Sequence, residues 1–182
     1  YVDYFFGKEA SAEYVIGTRR GISNRKPIIG QYDINREGSS DMYSKGANLL
    51  HTIRQLAKND EIWRNTLRGL NKEFYHSTVT TREIEEYISK SIGMDLSKVF
   101  DQYLRDYRVP VFEYEINNGV LNYRWSNVID GFNMPVEVNI DGKSKFLYPS
   151  EKFKKHPIKN LFINVDDDYY VYSKDLKIIV DN

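Results

Sequence analysis

The chain contains no cysteine, which excludes disulfides, thiolate metal ligands and cysteine nucleophiles together. Histidine is nearly as scarce: only His51, His76 and His156 occur, and none pairs at helical i, i+4 spacing. A zinc site built on two imidazoles one helical turn apart is therefore not encoded here. There is no excess of either charge, because 26 basic residues balance 26 acidic ones and each side of Pro110 is close to neutral. Nothing in that balance draws the chain to nucleic acid or to an anionic membrane, and no basic stripe stands out. No apolar run approaches the roughly 18 residues needed to span a bilayer. The first residue is Tyr1, with no signal-peptide pattern behind it. The sequence reads as a piece of something longer, in whose other part any targeting signal would lie, so the compartment stays open.

What is present changes character at Pro110. Before it the apolar residues recur at helical spacing. Asp3 to about Gly21 reads as a first helix carrying Ala10, Tyr14 and Ile16. Gly21 to Gly38 is rich in Gly, Asn, Pro and charge, a loop long enough to suggest a function. Ser39, Ser40 and Asp41 offer an N-cap for a helix whose Ala47, Leu50, Ile53 and Ala57, joined by Leu49 and Leu56, share one apolar face. Asp60 opens a third helix with Trp63, Leu67, Leu70 and Phe74, and Thr80 with Glu83 has capping-box spacing ahead of a fourth that stops at Gly93. Asp95 caps a last helix bearing Val99, Phe100, Tyr103 and Leu104. After Pro110 the period becomes two. Phe112, Tyr114 and Ile116 return through Asn118-Gly119 to Leu121, Tyr123 and Trp125, and Pro135 to Ile140 returns through Asp141-Gly142 to Lys143 to Tyr148. Both dipeptides suit a type I′ hairpin turn. Leu161 to Val165, Tyr170 to Tyr172 and Ile178 to Val180 make about seven short strands in all. The expected fold is α+β with the two kinds of element segregated: helices over residues 1–109 and a small antiparallel β-sandwich over 110–182.

The segment Asp41-Met42-Tyr43-Ser44-Lys45-Gly46-Ala47 carries the chemistry. It resembles the Tyr-x-Lys-Gly-Ala motif of the M1 aminopeptidases, the gluzincin zinc peptidases. Ser91, Gly93, Asp95, Leu96, Phe100, Gln102, Leu104 and Pro110 resemble the end of that family's catalytic domain, so the similarity covers most of residues 39 to 112. Tyr103 departs from it, standing where tryptophan is expected. The resemblance implies a helical, C-terminal part of a thermolysin-like catalytic domain over 1–109, followed by a β domain. It implies that Tyr43 matches the tyrosine that donates a hydrogen bond to the oxyanion formed when zinc-bound water attacks a peptide carbonyl. A phenol suits this because it keeps its proton at neutral pH. The family's His-Glu-x-x-His, its further glutamate ligand and its amine-recognition segment would all lie upstream of Tyr1. Zinc and the peptide substrate are therefore expected in a longer parent protein, with no metal on this chain and no activity by itself. Helices that pack on the zinc-bearing half would leave an apolar face open, through which dimerisation is conceivable.

Taken alone, a tyrosine at a helix start is ordinary; the Lys-Gly-Ala that follows and the downstream residues single Tyr43 out. Lys45 is expected to face water, the alternative being that it orients Tyr43. Gly46 and Ala47 are expected to allow close packing of the helix against neighbouring backbone. His51 reads as a helix-face residue, His76 and His156 as solvated. Asp166-Asp167-Asp168 reads as a charged turn in preference to a calcium site. Arg19-Arg20 and Arg25-Lys26 read as solvated charge, and Tyr169, Tyr170 and Tyr172 as sheet packing in preference to a sugar platform. Two other readings remain open: a non-catalytic scaffold of the same fold, and a ligand-binding β-sandwich with a helical adaptor.

Overall fold

The structure is a computed structural model that describes residues 1–31, 36–159 and 162–177. Among the described residues five α-helices precede the strands: α1 (Val2–Gly17), α2 (Met42–Leu56), α3 (Asp60–Glu73), α4 (Thr81–Ile92) and α5 (Ser97–Phe100). The α1 segment is broken at Gly7, whose φ of 90° is not helical, and a single 3₁₀ turn over Thr18–Gly21 replaces the longer helix expected to Gly21. Helix α3 opens at Asp60 as expected, and Asn59 before it caps the helix by accepting from Glu61 N at 2.7 Å. The capping box of α4 forms as expected, Thr80 and Glu83 satisfying one another's backbone N–H groups, and Gly93 ends the helix in the left-handed conformation. Asp95 accepts from Ser97 N at 2.9 Å, and α5 loosens into a π-helical turn over Asp101–Arg105.

Two sheets follow. One has the order β5-β2-β1-β7, made of β1 (Val111–Asn117), β2 (Val120–Ser126), β5 (Lys154–Pro157) and β7 (Tyr172–Asp175). The other has the order β4-β3-β6, made of β3 (Val136–Ile140), β4 (Lys143–Leu147) and β6 (Ile163–Val165). Both expected hairpin turns are present, with φ of 49° and 75° at Asn118-Gly119 and 56° and 77° at Asp141-Gly142. The β1–β2 register sets Phe112 opposite Trp125 and Ile116 opposite Leu121, so alternate residues of each strand reach the core.

One expectation about the sheets is corrected. The sandwich is not purely antiparallel, because β7 runs parallel to β1. The chain reaches β7 by crossing from the other sheet, so no hairpin imposes an antiparallel course. Strand β5, rich in lysine and lacking an apolar alternation, was not apparent in the sequence, while Leu161 and the strand expected at Ile178 to Val180 lie outside the described residues.

One core joins helices and strands. Leu49, Ile53 and Leu56 of α2 belong to the same cluster as Phe100, Tyr103, Phe112 and Trp125. Trp125 is buried with its indole N–H donating to Met134 O at 2.9 Å, so its polar atom costs nothing on burial. Gln102, fully buried at the helix–sheet boundary, donates to Arg108 O at 2.9 Å and accepts from Ile129 N at 2.7 Å. Tyr103 fills the position where tryptophan was expected and donates its hydroxyl to Tyr170 O at 2.6 Å.

The described ends of the loop before α2 close tightly on one another. Ser39 N donates to Pro27 O, and a Cβ at Gly38 would lie 2.0 Å from Ile28 O. No such clash surrounds Gly46, whose Cβ would meet nothing within 4 Å; the close packing expected there is not made by the described residues. Gly38→Ala is therefore expected to destabilise the chain by about 1–3 kcal/mol. Gly46→Ala is expected to stabilise it by about 0.5–1 kcal/mol through helix propensity. Urea unfolding of the two variants against the parent checks both signs.

Candidate functional site

Helix α2 carries two opposed faces. Asp41, Lys45, Asn48 and Thr52, at offsets of zero, four, seven and eleven, lie in one stripe along a helix of 3.6 residues per turn. All four are buried. Tyr43, Gly46, Ala47 and Leu50 fall on the opposite side. A buried polar stripe is tolerable only when its hydrogen bonds are made, and here each member has partners.

The Asp41 side chain does not cap its own helix, as the sequence suggested. Its carboxylate accepts from Ser23 N at 3.0 Å, Ser23 Oγ at 2.9 Å and Asn24 N at 2.8 Å, pinning the long loop to the start of α2. Burial alone would raise its pKa, but these hydrogen bonds outweigh burial and hold the carboxyl below the usual aspartate value. Lys45 does not face water: it is 0 % exposed, and its ammonium donates to Asp106 O at 3.1 Å and Tyr107 O at 3.2 Å. Burial lowers its pKa, opposed by the charges of Asp106 and Asp41. Asn48 accepts from Arg19 Nε at 2.6 Å and donates to Val15 O, Thr18 Oγ1 and Ser44 O. Thr52 Oγ1 accepts from Tyr170 N at 2.9 Å. The helix is thus tied in turn to the loop, to the end of the helical part, to α1 and to the β6–β7 connection.

This frame decides where Tyr43 stands. The second residue of α2, it is 76 % exposed, and its hydroxyl has no hydrogen-bond partner among the described residues. It borders an apolar groove of about 590 Å³ whose walls include Ile28, Ile29, Met42, Gly46, Leu50, Ile84 and Leu104. The ring thus stands at the edge of the groove and largely in solvent, with its donor open.

The remaining sequence candidates fall elsewhere. His51 is buried, and its Nε2 lies 3.0 Å from Asp168 Oδ1, so it joins α2 to the β6–β7 turn and is more than a surface residue of the helix. Asp166 to Asp168 do form that turn, but only Asp168 reaches His51, while Asp167 O accepts from Arg19 NH1 at 2.8 Å. Arg19 is accordingly not solvated charge: it sits between Asn48 and the turn with its guanidinium over the Tyr170 ring, whereas Arg20, Arg25 and Lys26 are exposed. Tyr169 and Tyr170 are buried and Tyr172 is exposed on β7. His76 is exposed after α3, and His156 is half-buried on β5. The described residues contain no group of three His, Cys, Asp or Glu side chains that could hold a metal. No helix among them is long and apolar enough to cross a membrane.

No family model matches the chain, and no curated protein sequence matches it. Among solved structures it is similar to the crystal structure of Legionella pneumophila aminopeptidase A in complex with aspartic acid, with a TM-score of 0.61 and 16 % sequence identity. The match covers 91 % of this chain and 23 % of that one, so the chain spans about a quarter of the neighbour's length. The likeness establishes an aminopeptidase-like fold.

Asp41→Asn separates the frame from the face it presents. The variant is expected to lose about 1–3 kcal/mol at pH 7, because a charge-assisted acceptor of three donors becomes a neutral one. A carboxyl whose folded pKa is depressed stabilises fully above the ordinary aspartate value of 3.8 and loses that contribution as pH falls through the folded value. The stability gap between parent and variant is therefore expected to narrow only once the pH falls below 3.8, which denaturant titrations at a series of pH values from 7 downward would show.

Proposed function

We propose that this chain is the downstream part of a zinc-dependent aminopeptidase of the M1 type, in which Tyr43 is the hydroxyl that donates to the oxyanion of the scissile carbonyl. In this reading residues 1–109 are the helical part of a catalytic domain and 110–182 the β domain that follows. The zinc and its ligands belong to chain preceding Tyr1, and a peptide is the substrate.

The observation that carries the reading is the pose of Tyr43. A phenol with no hydrogen-bond partner among the described residues stands on the open face of a helix whose other face is committed to hydrogen bonds. Those bonds fix the backbone from which the phenol projects, and a donor aimed at developing charge gains catalytic weight as its setting becomes preorganised. The apolar groove beside it offers a wall for apolar parts of a substrate or for a neighbouring segment, and would keep water from the donor once covered. The likeness of fold to an aminopeptidase supports the same reading. So does the Tyr-x-Lys-Gly-Ala sequence, in which Lys45 fixes the helix from the far side.

Tyr43→Phe keeps the ring and removes the donor. In the protein that includes the preceding segment, turnover of aminoacyl amide substrates is expected to fall by roughly 10²–10³-fold with zinc content unchanged. The same substitution in the 182-residue chain is expected to shift stability by less than about 0.5 kcal/mol, since the hydroxyl has no partner to lose. Unchanged turnover would remove the assigned role. Absence of zinc from the longer protein would favour the non-catalytic scaffold instead.

A further inference from the structure

Among the described residues, strands β4 and β5 each lie at one edge of their sheet, with β6 and β7 at the opposite edges. In an antiparallel pair, residues directly opposed share a face. Lys143 and Lys145 oppose Ile140 and Val138, and Lys154 and His156 oppose Tyr123 and Leu121. All four opposing residues are buried in the core, so these basic side chains leave their strands on the side that faces the other sheet. Farther along β4, Leu147 opposite Val136 is buried and the sandwich is closed. At Lys145 and Lys143 it is open, both residues being exposed.

The opening is a cleft of about 610 Å³ between the two strands, with Ile140, Pro157 and Ile158 among its apolar walls and Lys143, Lys145, His156 and Lys159 around them. Lys145 Nζ lies 2.8 Å from His156 Nε2, so the ammonium donates and the imidazole nitrogen accepts. Burial, and then the charge of Lys145, hold the His156 pKa below the ordinary histidine value. The carboxylate at the cleft is Asp141, whose Oδ2 accepts from Lys159 N at 3.0 Å. Glu137, which shares the outer face of its sheet with Ser144 and receives that hydroxyl, points away. Inward-pointing lysines also protect edge strands against self-association. Such protection needs ammonium groups spread into water, and it does not account for one seated on an imidazole in a cleft with two more cations.

We propose that this seam binds an extended acidic peptide segment, which lies along the β4 and β5 edges with carboxylates at alternate positions directed at Lys143 and at the Lys145–His156 pair. In an extended chain, residues two apart are roughly 7 Å apart and point the same way, the repeat that separates Lys143 from Lys145 along β4, where His156 sits beside Lys145. Edge strands leave alternate backbone N–H and C=O groups free for an added strand, which a compact anion cannot use. The proposal does not depend on the peptidase reading, since no part of the Tyr43 face is involved.

The test is fluorescence anisotropy of a labelled peptide alternating Glu with Thr, titrated with the 182-residue chain at about 0.15 M salt, where long-range attraction is screened. Comparators are the same peptide with Gln for Glu and one with its glutamates gathered in a single block. The alternating peptide is expected to bind at least about tenfold more tightly than either, the worth of one good charge-assisted contact. Lys145→Glu and the milder Lys145→Gln are expected to weaken it, each with a melting curve confirming the fold. Lys72→Glu, the same charge reversal on exposed α3, is expected to leave it unchanged. Peptide saturation is also expected to raise the His156 pKa measured by NMR. Equal affinity for the blocked peptide, an equal loss with Lys72→Glu, or binding of inorganic phosphate without binding of peptide would each overturn the proposal.

Discussion

The arrangement of this chain depends on the buried polar stripe of α2. Asp41, Lys45, Asn48 and Thr52 make hydrogen bonds to four separate parts of the structure, and the donors and acceptors they meet are mostly backbone groups or other buried polar atoms. Leaving any one of them unpaired costs about 1–3 kcal/mol, a sizeable share of the stability of a domain this size. The helix can therefore adopt one rotation about its axis and no other. An apolar stripe would allow slippage among nearly equivalent packings, whereas a stripe of specific donors and acceptors does not. The consequence appears on the opposite face, where Tyr43 is held outward over the groove without any contact of its own having to fix the helix.

The same stripe joins the helical and β parts. Thr52 and His51 of α2 meet Tyr170 and Asp168 beyond β6, and Gln102 and Tyr103 reach the sheets from the last helix. One core continues across this boundary. The helices and strands therefore act as one support for the α2 face, and the β module is more than an appendage to it.

Much of the framework was legible in the sequence because its determinants are local. The Thr80–Glu83 box, the Gly93 stop and both hairpin turns depend on residues within a few positions of one another, and all formed. The misses come from long-range pairing. Lys45 reads as solvated because its partners, the carbonyls of Asp106 and Tyr107, lie some sixty residues away. Asp41 reads as a cap because its true donors, Ser23 and Asn24, come from a loop with no period to reveal them. The parallel pairing of β7 depends on a crossover between sheets, and β5 lacks the alternation that marks a half-buried strand. The basic seam escaped notice because charge was balanced over each half, while Lys143, Lys145, His156 and Lys159 come together only when two edge strands meet. One clue was available: offsets of zero, four, seven and eleven put Asp41, Lys45, Asn48 and Thr52 on a single helix face, a pattern of polar residues beside the apolar one.

The central claim is that a helix locked from behind aims a free phenol at a reacting carbonyl. It is tested most directly by a crystal structure of the longer protein with a tetrahedral transition-state analogue bound. The expected result places the Tyr43 hydroxyl about 2.7–3.1 Å from the oxygen that mimics the oxyanion, with α2 unmoved from its present setting. A hydroxyl more than about 5 Å from that oxygen, too far for a hydrogen bond, would contradict the account.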